Sequence, residues 1–235
     1  MTLDPRLFAD GPARDARFDV RETWAEMTNL PDGHPDAIAE FLHRQMNEEV
    51  NGLEIAARNL VDFPDAPWDL RMAIARQAWD EARHVVMFRR CVEARGVKVG
   101  QYPVLNFQFR IATRIGSLLG RLAVQNRSFE AAGIDAIQDG MTQTGEPDLR
   151  ALLDSQLADE IQHVRFANHW MPELTRLGGP RATFELARAV GQANEAMAVV
   201  AGDAVTRYPV QESLRREAGF DEGEIAAVKE STARR

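Results

Sequence analysis

The 235-residue chain is poor in several things that would each have pointed to a particular chemistry. It has one cysteine, Cys91, so it can form no internal disulfide, zinc ribbon or rubredoxin-type iron site. Cys91 reads as a small buried hydrophobe on a helix. Tyrosine is scarce, with only Tyr102 and Tyr208. No apolar run approaches the roughly 20 residues that cross a bilayer. No basic block is present, and 36 acidic residues against 28 basic ones give a net charge of −8. Such a surface repels nucleic acid and anionic membrane and leaves a small molecule as the expected partner. The polar, acid-bearing N-terminus resembles neither a signal nor a transit peptide, so a cytoplasmic protein is expected.

Strand signals are scarce as well, whereas Ala, Leu, Arg and Glu abound, so the chain reads as all-α. Residues 1–35, rich in Pro, Gly and Asp, form an irregular N-terminal extension. A helical bundle is expected over 36–207, followed by a charged tail, 208–235, with partial disorder. Within the bundle a first helix spans about Asp36 to Leu60 and stops at the Pro-rich segment Asp62–Pro67. A second runs from about Pro67 to Arg95 and is closed by Gly96. The third region, Val104 to Thr142, is too long for one straight helix and is expected to bend near Gly116 or Gly120. A fourth runs from Pro147 to Leu177, ended by Gly178-Gly179-Pro180, and a fifth from Arg181 to Arg207.

The second and fourth helices share one spelling: Asp80-Glu81-Ala82-Arg83-His84 and Asp159-Glu160-Ile161-Gln162-His163. Residues three apart on a helix lie about 60° apart around the axis and one turn along it. Glu and His at that spacing can therefore ligate the same metal centre, a carboxylate beside a neutral imidazole. Bundles that hold two iron or manganese ions use this pair on two helices and one Glu from each of two others.

Both further Glu are available. On the first helix Glu49 falls on the apolar stripe Ile38, Leu42, Met46, Leu53, Ala56, Leu60, while Glu48 lies beside it and Glu54 points away. The third region offers Glu130, on the stripe Leu119, Leu122, Ala123, Asn126, Gly133, Ile137. Each Glu helix is thus followed by a Glu-x-x-His helix at a near-equal interval. Glu81 and Glu160 sit mid-stripe, where an unpaired carboxylate is costly and a metal removes the cost. Four carboxylates with two neutral histidines balance two divalent ions.

A bare Glu-x-x-His is weak: chance gives roughly 0.4 copies in a chain of this composition, and requiring Asp before Glu drops that to roughly 0.03. A third bare copy, Glu40/His43, is read as a pair of first-turn surface residues. Asp80 and Asp159 are expected to accept the remaining ring N–H of a ligand histidine, that on the opposite helix, with Arg83 pairing to such a carboxylate. His34, His169 and Glu173 are weaker candidates as extra ligands. Phe107, Phe109, Phe129, Met141 and Met197 could line a pocket, or simply pack in the core.

At these residues the sequence resembles the ferritin-like di-iron carboxylate superfamily, and more closely an uncharacterised bacterial branch of ferritin-like domain proteins akin to tRNA-hydroxylase-type proteins. The similar stretches are PARDARF (Pro12–Phe18), EVNGLEIA from Glu49, DEARH from Asp80, RLAVQNRSFEAAGID from Arg121 and DEIQHVRFANHWM from Asp159. The resemblance implies a ferritin-like four-helix bundle with an additional C-terminal helix, and selects Glu49 over Glu48 and Glu54. It implies two metal ions held by Glu49, Glu81, His84, Glu130, Glu160 and His163: iron, with manganese or a mixed pair as alternatives. The implied activity is an oxidoreductase that activates O₂ to oxidise or oxygenate a small molecule, a monooxygenase or oxidase. No separate catalytic side chain is assigned, and an external electron donor is needed. Peroxide scavenging or iron oxidation, and a metal-stabilised binding module, are the alternatives; a homodimer is compatible with either. A radical tyrosine of the ribonucleotide-reductase type is disfavoured, because Phe88 stands four residues after His84.

Overall fold

The computed structural model describes residues 16–27, 29–31, 33–202 and 208–233. The start of the Pro12–Phe18 stretch and the expected end of the fifth helix at Arg207 lie outside them. The fold is all-α. Its elements are α1 (Ala37–Asp62), α2 (Trp68–Ala94), α3 (Phe107–Arg114), α4 (Leu118–Val124), a π-helical turn (Gln125–Glu130), α5 (Ala131–Gln143), α6 (Pro147–Ala201), α7 (Glu212–Glu217) and α8 (Glu222–Ala233). One short parallel ladder pairs β1 (Val20–Arg21) with β2 (Val104–Leu105), so the N-terminal extension is not wholly irregular. Among the described residues, no helix is long and apolar enough to cross a membrane.

The residues fall into two compact units. The first takes in the described parts of Met1–Pro64, Ile74–Ile115 and Glu195–Ala204. Here α1 carries one face of buried residues, Ala39, Leu42, Met46, Ile55 and Ala56. Two buried amides on that face anchor the connection to α3. Asn47 donates to the Leu105 carbonyl at 2.7 Å, and Asn51 accepts the Phe109 backbone N–H at 3.4 Å. Phe109 packs with Ile55 and Ala112 and is core.

Glu40 and His43, expected on the surface, are also buried, at 5% and 0% exposure. The N-terminal extension and the α2–α3 connection cover them, which their place in the first turn could not reveal. The Glu40 carboxylate accepts from the Leu30 backbone N–H at 2.9 Å and from Arg44 at 2.8 Å. His43 Nε2 accepts the Gly100 N–H at 2.8 Å, with the rings of Phe18 and Tyr102 against the imidazole.

The second unit takes in Asp65–Ala73, Gly116–Asn194 and the described part of Val205–Arg235. The third helical region breaks where Ile115 and Ser117 turn extended, and the Ser117 hydroxyl then caps α4 by accepting the Gly120 N–H. The fourth and fifth helices, which run together as α6, part as expected within Gly178-Gly179-Pro180: the backbone leaves helical geometry at Gly179 (φ 61°, ψ −153°), a conformation that favours glycine. One departure from expectation is that the charged tail is folded into α7 and α8. It buries Ala218, Phe220 and Ile225, and its charges find specific partners on α5 and α6.

Burial, and secondarily the positive charge of Arg44, lowers the pKa of His43 from 6.5 to about 4. Folded His43 therefore stays neutral where the unfolded chain already binds a proton. Its contribution is complete above pH 6.5 and is lost as pH falls from 6.5 towards 4. That loss amounts to about 3 kcal/mol. Denaturant unfolding at pH 7 and pH 4.5 should show the loss in the native protein and a shallower one in His43→Gln. Equal slopes in the two proteins would exclude His43 as its source.

Candidate metal centre

In the first unit the ligand candidates come from α1 and α2. Glu49 lies on the buried face of α1 at 5% exposure, while Glu48 and Glu54 are half-buried; of the expected stripe, Leu42, Met46 and Ala56 are buried, Leu53 and Leu60 half-buried and Ile38 exposed. Glu81 and His84 stand one turn apart on α2, both buried. His84 Nδ1 lies 3.0 Å from Glu49 Oε2 and 3.6 Å from Glu81 Oε2. Glu49, Glu81 and His84 each offer an atom within 4.8 Å of the others. Gln77, one turn before Glu81, donates its amide to Glu81 Oε1 at 3.2 Å.

In the second unit Glu130 ends the π turn, and Glu160 and His163 lie on α6. All three are buried. His163 Nδ1 is 3.3 Å from Glu160 Oε2, and the three again offer atoms within 4.8 Å of one another. The side-chain amide of Asn126 donates to Glu130 Oε2 at 2.8 Å, and that of Gln125 to Oε1 at 3.4 Å. A π turn spans one more residue per hydrogen bond than the α-helix and occurs frequently at functional sites. Here it carries the two amides and the carboxylate they hold.

A family profile described as "Protein of unknown function (DUF455)" matches residues 4–226. The chain belongs to this family. No curated protein is similar to it by sequence. Among solved structures, one described as "Protein 19 with aldehyde deformylating oxidase activity from Synechococcus" is similar with a TM-score of 0.51 and 15% identity. The match covers 82% of this chain and 98% of that one. At this identity the likeness concerns the fold, which is ferritin-like.

The donor set in this DUF455 chain suits a metal. Two ligand atoms about 2.1 Å from one ion and at right angles stand about 3 Å apart, the separation seen between His84 Nδ1 and Glu49 Oε2. Amides orient Glu81 and Glu130 without cancelling their charge, and buried carboxylates in close array call for cations. The buried Glu/His clusters could therefore hold metal.

The expected supporting residues are placed as follows. Asp80 is buried and accepts from Arg76 Nε at 2.8 and 3.1 Å. Arg83 Nη1 lies 3.4 Å from Met87 Sδ, and Asp159 is half-buried. Of the weaker candidates, His34 accepts the Asp36 backbone N–H through Nδ1, His169 is exposed beside Trp170, and Glu173 binds Arg176. None of the three joins the clusters found among the described residues. Phe88 is fully buried. Phe107, Phe129, Met141 and Met197 are half-buried.

Sequence reasoning missed Gln77, Gln125, Asn126 and Gly52. For Gln77 a signal existed: Gln77 and Gln156 both stand four residues before the motif Glu, so the repeated unit is Gln-x-x-Asp-Glu-x-x-His. Gln156 is buried too. For Gly52 the signal was a glycine inside a strong helix pattern. A Cβ there would lie 2.8 Å from both Cδ and Oε1 of Glu81, so the missing side chain makes room for that carboxylate.

Gly52→Ala therefore has effects of opposite sign. The metal-free protein should gain up to about 1 kcal/mol from helix propensity. Metal affinity should fall about 10- to 100-fold, since Glu81 must move. Chelator competition and thermal unfolding of the metal-free form would measure the two; unchanged affinity would mean that Glu81 needs no such notch.

Proposed function

We propose that Glu49, Glu81, His84, Glu130, Glu160 and His163 together form one two-metal carboxylate centre, with iron as the metal and manganese or a mixed pair as alternatives. On this reading the protein is an oxidoreductase that uses O₂ to oxidise or oxygenate a small molecule. The observation that carries it is the recurrence, once in each unit, of a buried Glu plus Glu-x-x-His trio with its ligand atoms clustered. Two structural halves with one ligand set each match the four-carboxylate, two-histidine complement of di-metal bundles.

A reduced metal pair, when bound, supplies the electrons that O₂ chemistry needs. The remaining roles belong to the chain. Glu49 and Glu81 with His84, and Glu130 and Glu160 with His163, bind and neutralise the metals. Gln77, Gln125 and Asn126 orient the carboxylates. Buried apolar side chains on the same or adjoining helices, Ile74 and Phe88 on α2 and Leu122, Ile134 and Val164 on α4, α5 and α6, would keep out water that would otherwise intercept oxidising equivalents. The single cysteine makes no rubredoxin-type relay, so reductant comes from another molecule. The net charge of −8 favours a small substrate over a nucleic acid. A place beside tRNA-hydroxylase-type proteins belongs to this reading and rests on the Glu49, Asp80, Arg121 and Asp159 stretches. The activity given for the structural neighbour makes aldehydes a reasonable first panel of substrates.

Metal analysis of protein from cells, followed by rapid mixing of the reduced form with O₂, tests the proposal. The native chain should carry two transition-metal ions and consume O₂, and Glu81→Ala should lose both ions while remaining helical. Two ions retained in Glu81→Ala would refute the ligand assignment. Fast turnover of peroxide with no O₂ uptake would shift the function to peroxide handling, and inert metals would make the protein a binding module.

A further inference from the structure

The folded tail makes an unusually specific set of contacts, all within the second unit. Arg215 on α7 is 5% exposed and Asp135 on α5 is 4% exposed. Arg215 Nη2 donates to Asp135 Oδ2 at 2.6 Å, and Nε lies within 3.2 Å of both carboxylate oxygens. The same carboxylate accepts the Gln211 backbone N–H at 2.8 Å. Arg215 Nη2 also donates to the Ala131 carbonyl at 3.1 Å, and Ala131 is the residue directly after Glu130. The Phe220 ring joins this arrangement, with the guanidinium of Arg215 5.4 Å and that of Arg127 4.9 Å from its centroid. Arg127 belongs to the π turn and pairs with Glu224 of α8. On the other flank, Arg165 and Asn168 of α6 donate to the carbonyls of Glu217 and Ala218 at 3.0 and 2.8 Å.

We propose that α7 and α8 form a clamp on the π turn, with Arg215 as the positioning residue that fixes Glu130 through Ala131 and Asp135. A buried ion pair is weak evidence for net stability, because desolvation offsets most of its attraction. Its directional bonds do specify register. A π turn is a wide, easily rewound stretch between two α-helices. Rewinding it as α-helix would rotate Glu130 by roughly 100° about the axis. The tail makes contacts on both sides of Glu130, with Arg127 in the turn before it and with Ala131 and Asp135 of α5 after it. Since α6 carries Glu160 and His163, the same two short helices tie the two ligand-bearing elements of the half-site together. The inference rests on Glu130 being a metal ligand, but its conformational part does not.

The test uses the full chain and two variants. Arg215→Met/Asp135→Leu replaces the buried pair with apolar side chains, so that no buried charge is orphaned, and removes the bond to Ala131. Arg215→Lys keeps the charge but loses the fork that reaches both groups. Hydrogen exchange over residues 125–135 of the metal-free proteins reads the turn, and iron titration reads the site. For the double variant, with helicity and melting temperature near those of the native chain, exchange over 125–135 should accelerate at least tenfold and iron should fall from two ions per chain to one or none. Arg215→Lys should fall between. Native exchange and two ions in the double variant would overturn the clamp. Accelerated exchange with no iron bound even by the native chain would keep the clamp and refute the metal reading instead.

Discussion

Buried carboxylates crowded beside imidazole nitrogens are the constraint around which this protein is organised. Burying one unneutralised carboxylate costs several kcal/mol even after relaxation. Glu49, Glu81, Glu130 and Glu160 are all buried, at 3 to 7% exposure. The groups described against Glu81 and Glu130 include neutral amides, which hold the oxygens in place. In each unit these buried groups lie close enough together that they could hold a cation, which would compensate that cost.

Much of the local sequence follows from that constraint. Gly52 gives up helix propensity to leave room for Glu81. The π turn departs from regular helix to carry Gln125, Asn126 and Glu130. The tail adds a buried Arg215–Asp135 pair and a phenylalanine ring in contact with the guanidiniums of Arg127 and Arg215, all next to that turn. Polar groups in a core raise specificity more than stability. Several of them lie beside the candidate ligand segments, and others, such as Glu40, His43, Asn47 and Asn51, hold the connections around α1.

Glu40 and His43 show how the same motif serves a different end. Their spacing copies the ligand pairs, and they are as well buried. Yet the described partners of Glu40 are the Leu30 backbone and Arg44, and the His43 nitrogen is occupied by the Gly100 N–H. Both residues fasten the N-terminal extension and the α2–α3 connection onto α1. Spacing alone establishes that two side chains share a helix face; what meets that face decides their chemistry.

The all-α class, the approximate helix boundaries and the two Asp-Glu-x-x-His segments could be read from the sequence, because helical periodicity and i, i+3 spacing are local properties. Glu49 could be picked over Glu48 and Glu54 for the same reason, since the apolar stripe orients the helix. Other features depended on residues distant in the chain. The burial of Glu40 and His43 needs Leu30 and Gly100; the ordering of the tail needs Asp135, some 80 residues before Arg215. The π turn has no signature in hydrophobic period, because its extra residue is stabilised by side-chain bonds and tertiary contacts rather than by pattern. Gly52 and Gln77 lie between these cases, visible as letters but given meaning only when α1 and α2 bring them against Glu81. Local geometry thus named the ligand candidates, and tertiary packing decided how each is held.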